Sequence, residues 1–312
     1  MNVAIIVPAW NASQTWETFS QSLAENLKAA AIPSTSVLFI DSSSADNTAA
    51  LVVSAGYKIH TIPQSEFDHG ATRQLGVDLM EKSDILVFLT QDAVLEKSDS
   101  VARLLHAFED PSIGACYGRQ LPKPGATIIE AHARLFNYPA LSVTRDLDSR
   151  KELGFKSIFL SDSFSAYRRS TLEAVGGFPG GVLFGEDTIL AARMHLAGWK
   201  TAYVSDAAVM HSHSYSISQD FRRYFDIGCL HAMESWLLTE FGQASGEGKR
   251  FVLSELRYVA KRNVFLIPSV MLRTFIKLLG YKMGRMHTHL PMFMKERLSM
   301  NPPYWAKHHR TS

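Results

Sequence analysis

The chain has 312 residues, 46% hydrophobic and 20% charged, with a net charge of +2. That composition excludes a disordered or fibrous chain and suits one large or two modest folded units. Two cysteines, Cys116 and Cys229, exclude a disulfide framework and favour a reducing compartment.

The opening "MNVAIIVPAW" lacks a basic leader region and its apolar run is short, so it reads as a first strand and not a signal peptide. Strand 3–10 precedes an amphipathic helix over 14–30 with Ser13 as its cap. A second strand over 36–41, a helix over 46–56, a third strand over 57–62, a helix over 70–83 and a fourth strand over 84–90 follow. This alternation predicts an α/β fold with a mostly parallel sheet flanked by helices, binding ligands at the carboxyl ends of its strands. Further on, 161–169 reads as a strand leading into a helix at 170–175, 185–199 as a helix, and 200–216 as a strand, a turn and a second strand.

From 217 onward the pattern is helical and basic. Residues 249–312 hold 13 Lys/Arg against 2 Asp/Glu, a net of +11, and the rest of the chain a net of −9. Such a tail suits an anionic partner. No stretch reads as transmembrane; 264–281 comes nearest, interrupted by Pro268, Arg273 and Lys277. Its mixed apolar and basic residues suit either a helix in a membrane interface or a core helix with a solvated basic face. The tail carries no nucleic-acid motif, so no nucleic-acid partner is expected.

Four polar clusters sit where such a sheet would place a site. Asp41 ends the second strand and either meets a ribose or base or merely opens the turn "DSSSADNT". Asp92, past the fourth strand, is a ligand for Mg²⁺ or Mn²⁺ beside a diphosphate, or a loop acid. Glu186 and Asp187 open a helix, where the dipole favours acids; one of them could be a general base. His211 and His213 would share one face of an extended segment and suggest metal ligation, although either could simply pack.

In their order along the chain, "VAIIVPAWNAS", "LFIDSSSADNT", "VFLTQDA" and "YRRSTLEAVGGFPGGVLFGEDTILAARMHLAGWKTAYVSDAAVMHSHS" resemble a family 2 glycosyltransferase with the GT-A fold, over roughly residues 3–216. "FDHGATRQLG", with "FLTQDA" and "SDSFSAYRR", is similar to the rhamnosyltransferase branch that uses dTDP-L-rhamnose in O-antigen and related polysaccharide assembly. The resemblance implies a catalytic domain over 1–216 and a helical acceptor- or membrane-side extension over 217–312. It implies that Asp41, Pro8 and Ala9 hold the nucleotide. The family's Asp-x-Asp metal motif here reads Thr90-Gln91-Asp92, without its first acid. Gln91 then falls to the donor, and Asp92 with His213 or His211 to a divalent cation. Asp187 is the implied base, with Glu186 beside it. Asp68 and His69 are expected to face the sugar and Arg73 to fork onto the diphosphate at a helix N-terminus. The implied acceptor is a saccharide, polyprenyl-diphosphate-linked, met by 125–160 and the tail on the cytoplasmic face of the inner membrane. The rivals are a different donor such as a UDP-hexose, and a non-catalytic nucleotide-sugar-binding homologue.

Overall fold

The structure, a computed structural model, describes residues 1–242 and 246–309. The strands are β1 (Val3–Ala9), β2 (Val37–Asp41), β3 (Lys58–Thr61), β4 (Ile85–Leu89), β5 (Val94–Leu95), β6 (Ile113–Leu121), β7 (Val143–Arg145), β8 (Phe164–Arg168) and β9 (Lys200–Met210). Helices α1 (Trp16–Ala29), α2 (Thr48–Ser54), α3 (His69–Leu79), α4 (Ser100–Leu105), α5 (Ile128–Asn137), α6 (Arg150–Leu153), α7 (Arg169–Ala174) and α8 (Glu186–Leu196) alternate with them. The chain closes with α9 (Ile217–Met233), α10 (Ser235–Phe241), α11 (Glu247–Ala260), α12 (Ile267–Arg285), α13 (Met292–Leu298) and α14 (Pro302–His309).

The strands form one sheet in the order β3-β2-β1-β4-β8-β6-β9-β5, with β7 added against β9. The first four strands pair parallel, as their spacing predicts. The later half makes the sheet mixed. β8 enters between β4 and β6 antiparallel to both, and β5 and β7 run antiparallel to β9. β2 and β4 are buried at every position because helices cover both faces.

Alternate residues of β1 therefore feed two cores. Ile6 joins Ile40, Phe88 and Leu190 on the α3–α8 face, while Ile5 and Val7 join Phe19, Phe39 and Val87 on the α1–α4 face. Each such side chain stabilises the fold by roughly 1.5–3 kcal/mol through burial, and Phe88→Ala would cost about 3–5 kcal/mol.

Three local expectations change. Thr15, not Ser13, precedes α1, because residues 12–15 close a turn of their own; the Ser13 N–H instead reaches the Asp46 carboxylate at 3.0 Å. β9 is one irregular strand rather than two, and the histidine run lies beyond it, outside any strand. Val264–Arg285 is one continuous helical stretch of 22 residues, by length and composition enough to cross a membrane. It packs along α9 at very close range. A Cβ at Gly284 would stand 2.0 Å from the Phe225 carbonyl oxygen, and one at Gly280 2.5 Å from that of Phe221. Only glycine admits that approach.

Candidate active site

The register of the sheet assembles the first half of the site. Val94 of β5 pairs with Met210 of β9, so Asp92, two residues before, meets His211, one residue after. The His211 Nε2 lies 3.4 Å from Asp92 Oδ1, and Lys123 Nζ, just past β6, lies 3.0 Å from Oδ2. The His213 ring stands edge-on to His211 with centroids 4.6 Å apart. One ligand atom from each of Asp92, His211 and His213 lies within 4.8 Å of the others.

His211 donates through Nδ1 to Gln120 Oε1 at 3.0 Å, which leaves Nε2 turned toward Asp92. Burial works against ionising Asp92, but His211 and Lys123 outweigh it and hold its carboxyl well below the usual range. His213 keeps an exposed face, but desolvation by the protein around it and the neighbouring His211 lower its pKa to about 4, so its imidazole is neutral at pH 7. One carboxylate and two imidazoles fit a divalent cation that completes its shell with phosphate oxygens and water.

The second half lies at the start of α8. Gly185, at φ 81°, turns the chain into the helix. Glu186 is buried and its carboxylate meets Arg73 Nη1 at 2.8 Å. Asp187 keeps part of its surface open; its oxygens accept from the N–H groups of Thr188 at 2.7 Å and Asp162 at 3.4 Å. Burial, then the charges of Glu186 and Asp162, raise its pKa to about 8. The two halves are physically joined. Gln120, which orients His211, donates to Ser161 Oγ at 2.9 Å, and Ser161 adjoins Asp162, which contacts Asp187.

Several donor-side expectations are corrected by what these side chains touch. Arg73 is buried, with Nε 2.9 Å from Asp162 and Nη1 shared between Glu186 and the His69 carbonyl oxygen, so it offers no fork to a phosphate. Asp68 caps α3, accepting from Ala71 N–H at 2.8 Å, and accepts from Gly181 N–H at 3.1 Å. It is committed to backbone, not to a sugar. Gln91 is also spent: its Oε1 accepts from Trp10 N–H at 2.6 Å and its Nε2 donates to the Trp10 carbonyl at 2.9 Å. Glu186 is the partner of Arg73 rather than a second base.

Asp41 ends β2 and accepts from the Ser44 N–H and hydroxyl, the turn-opening arrangement. Pro8 and Ala9 lie beside it in register with Ile40 and Asp41. Asn11 and Ser43, on adjoining loops there, hold left-handed backbone at φ 49° and 55°, strain that tends to collect at functional sites. His69, partly buried, sits edge-on to Phe67, and burial lowers its pKa.

Sequence reading missed Asp162, Lys123, Gln120, Arg223 and the exposed indole of Trp10. The Arg223 guanidinium lies 4.7 Å from the Phe184 ring centre with no carboxylate paired to it among the described residues. Only the strand-leading "SDS" hinted at Asp162.

A family model described as "Glycosyltransferase like family 2" matches residues 1–225. The chain belongs to glycosyltransferase family 2. It is 40% identical to the O-antigen chain rhamnosyltransferase RfbN of Salmonella typhimurium over 306 residues, 98% of this chain and 96% of that one. It is 42% identical to the O-antigen chain rhamnosyltransferase WbaN of Salmonella anatum over 302 residues, 96% and 95% of the two chains. Among solved structures it is similar to the mannosyltransferase PcManGT from Pyrobaculum calidifontis, in complex with GDP-Man and Mn²⁺, at TM-score 0.55 and 19% identity over 95% of this chain and 84% of that one. It is likewise similar to S. aureus TarS 1-349, at TM-score 0.52 and 16% identity, over 91% and 90%. The fold of this family 2 enzyme is therefore the expected GT-A type, and the enzyme is a glycosyltransferase.

Proposed function

We propose that this enzyme transfers L-rhamnose from dTDP-L-rhamnose to a lipid-linked saccharide in O-antigen or related polysaccharide assembly, inverting the anomeric centre. Two relatives named as O-antigen chain rhamnosyltransferases, each matching nearly the whole chain, support the sugar and the setting. The single geometric observation behind the mechanism is the short bonded path from His211 through Gln120 and Ser161 to the Asp162–Asp187 contact. It supports reading the Asp92–His211–His213 cluster and the high-pKa Asp187 as parts of one site.

Asp187 takes the proton of the acceptor hydroxyl as that oxygen attacks the anomeric carbon from the face opposite the leaving group. The sugar–phosphate bond breaks and dTDP leaves with the electron pair. A pKa near 8 makes Asp187 a strong base once ionised, so turnover rises with pH toward that value. Asp92, His211 and His213 would hold the divalent cation, which neutralises charge growing on the departing diphosphate. The two imidazoles favour Mn²⁺ over Mg²⁺, which prefers oxygen ligands. Lys123 and Arg223 add positive charge to the site, and the Trp10 face suits stacking on the nucleotide base.

Residues 217–312 form the acceptor side. α12 turns Met271, Leu272, Phe275 and Leu278 outward, and Phe265 is exposed in the turn just before it, in a strongly basic region. That combination suits peripheral contact with an anionic membrane surface, here the cytoplasmic face of the inner membrane.

Release of nucleoside diphosphate decides the donor. Purified enzyme receives dTDP-L-rhamnose or UDP-hexoses with Mn²⁺, Mg²⁺ or chelator, and a membrane lipid extract as acceptor source. Extract-dependent dTDP release is expected. Release of UDP alone would replace the donor and keep the mechanism. Binding of dTDP without turnover, even with defined acceptors, would favour a non-catalytic holder of nucleotide-sugars.

A further inference from the structure

The stretch "DHGATRQ" spends its polar side chains in an unexpected direction. None of Asp68, Arg73 and Gln74 is free for a ligand; all three grip the segment that leads into Asp187. Asp68 Oδ2 accepts from Gly181 N–H at 3.1 Å, and Gln74 Oε1 accepts from Phe178 N–H at 2.9 Å. Gly70 lies so close that a Cβ there would stand 1.8 Å from the Pro179 carbonyl oxygen. Arg73 completes the grip, 2.8 Å from Glu186 and 2.9 Å from Asp162. Asp162 is itself fixed by the hydroxyls of Ser165 at 2.7 Å and Tyr167 at 2.6 Å.

Given the base role of Asp187 above, we propose that Arg73 is a positioning residue: through Glu186 and Asp162 it locks the carboxylate of Asp187 in place and sets its charge, and it does not bind the donor. Buried charges need partners, and a buried guanidinium facing two carboxylates is a rigid fork. Both of those carboxylates flank Asp187, one in sequence and one across the loop before β8. The groups facing Asp187 are Glu186 on α8, Asp162 before β8, Tyr167 on β8, Tyr138 after α5 and Arg73 on α3. Two of them are carboxyls, two are phenols and one is a fixed cation. Removing the cation must make Asp187 harder to ionise. Removing an acid must make it easier.

The test measures two things on the full-length protein, neither of which requires turnover. One is the titration of the Asp187 carboxyl, followed by carboxyl-carbon NMR and assigned by its loss in Asp187→Asn. The other is the dissociation constant for dTDP with Mn²⁺. Arg73→Met is expected to move the Asp187 titration up by about one to three pH units, and Asp162→Asn to move it down. Affinity for dTDP should change less than about threefold, well under the tenfold that 1.4 kcal/mol would give.

Where turnover is present, the acidic limb of kcat/KM should follow the same two directions. Arg73→Lys, which keeps the charge and loses the fork, should lower kcat with KM unchanged. If Arg73→Met does not fold, Asp162→Asn still reports the downward titration shift and Arg73→Lys still reports dTDP affinity. A tenfold loss of dTDP affinity in Arg73→Lys with the Asp187 titration unmoved would overturn the inference and restore Arg73 to the donor. Opposed titration shifts in a protein inactive with every donor would uphold the inference and sink only the transfer reading.

Discussion

Asp92 and Asp187 are the same side chain at two ends of one site, and their surroundings drive them apart. Asp92 faces Lys123 and two histidines; its charge is welcomed, and its carboxyl stays ionised far into acid. Asp187 faces two further carboxylates at close quarters, and its carboxyl holds a proton up to about pH 8. A fixed anion suits cation binding, and a carboxylate that takes a proton readily suits a base. The sheet produces the first environment by setting β5 against β9. Burial and the crowding of Glu186 and Asp162 produce the second, and the one arginine that α3 carries among these three acids offsets part of the repulsion.

The largest expected effect breaks the comparison at its base end. Asp187→Asn should lower kcat by about 10²–10⁴-fold while dTDP still binds. Its effect on stability should run the other way. The folded pKa of about 8 lies above the ordinary carboxylate value of 3.8, so the native state holds a proton that the unfolded chain releases. Stability from this group therefore falls as pH rises from about 4 to 8. Asp187→Asn should melt higher than wild type at pH 8 and gain little at pH 4; equal gains at both would remove the charge argument.

At the other end, Asp92→Asn should weaken Mn²⁺ binding by about 100-fold or more, since even a group that only orients a ligand is worth 10–100-fold. Its stability should fall at neutral pH and converge on wild type in acid, because a depressed carboxylate loses its contribution as pH drops. The two asparagine variants thus shift melting temperature at pH 8 in opposite directions. Gln120→Ala, which frees the His211 ring, should cost about 10–100-fold in Mn²⁺ affinity, read by calorimetry. A loss below threefold would mean that His211 needs no such anchor.

Much of this is legible in the amino-acid sequence. β1, β2 and β4 are apolar runs too continuous for a one-sided sheet, and acids stand at the end of β2 and just past β4. Asp92, Asp187 and the two histidines stood out because an acid or imidazole at a strand or helix end is uncommon without a purpose. What escaped was pairing across distance. Nothing local shows that Val94 will meet Met210, or that Arg73 will find Asp162 and Glu186 rather than a phosphate. An arginine in a first helical turn looks the same either way. The same blindness covers Asp68 and Gln91, whose bonds are to backbone and leave no periodic trace.

Gln91 gives the smallest effect and the sharpest separation between the two readings of one residue. Both ends of its amide close onto Trp10, tying the exit of β4 to the exit of β1 directly beside Asp92. The bonds are exposed, so Gln91→Leu should cost about 1 kcal/mol of stability. The loop of Asp92 would lose one anchor, and Mn²⁺ affinity should slip a few-fold. Affinity for dTDP measured without metal should not change, because the side chain has no group left for the nucleotide. A tenfold loss in metal-free dTDP binding, with Mn²⁺ affinity intact, would instead mean that the amide leaves Trp10 when the donor arrives.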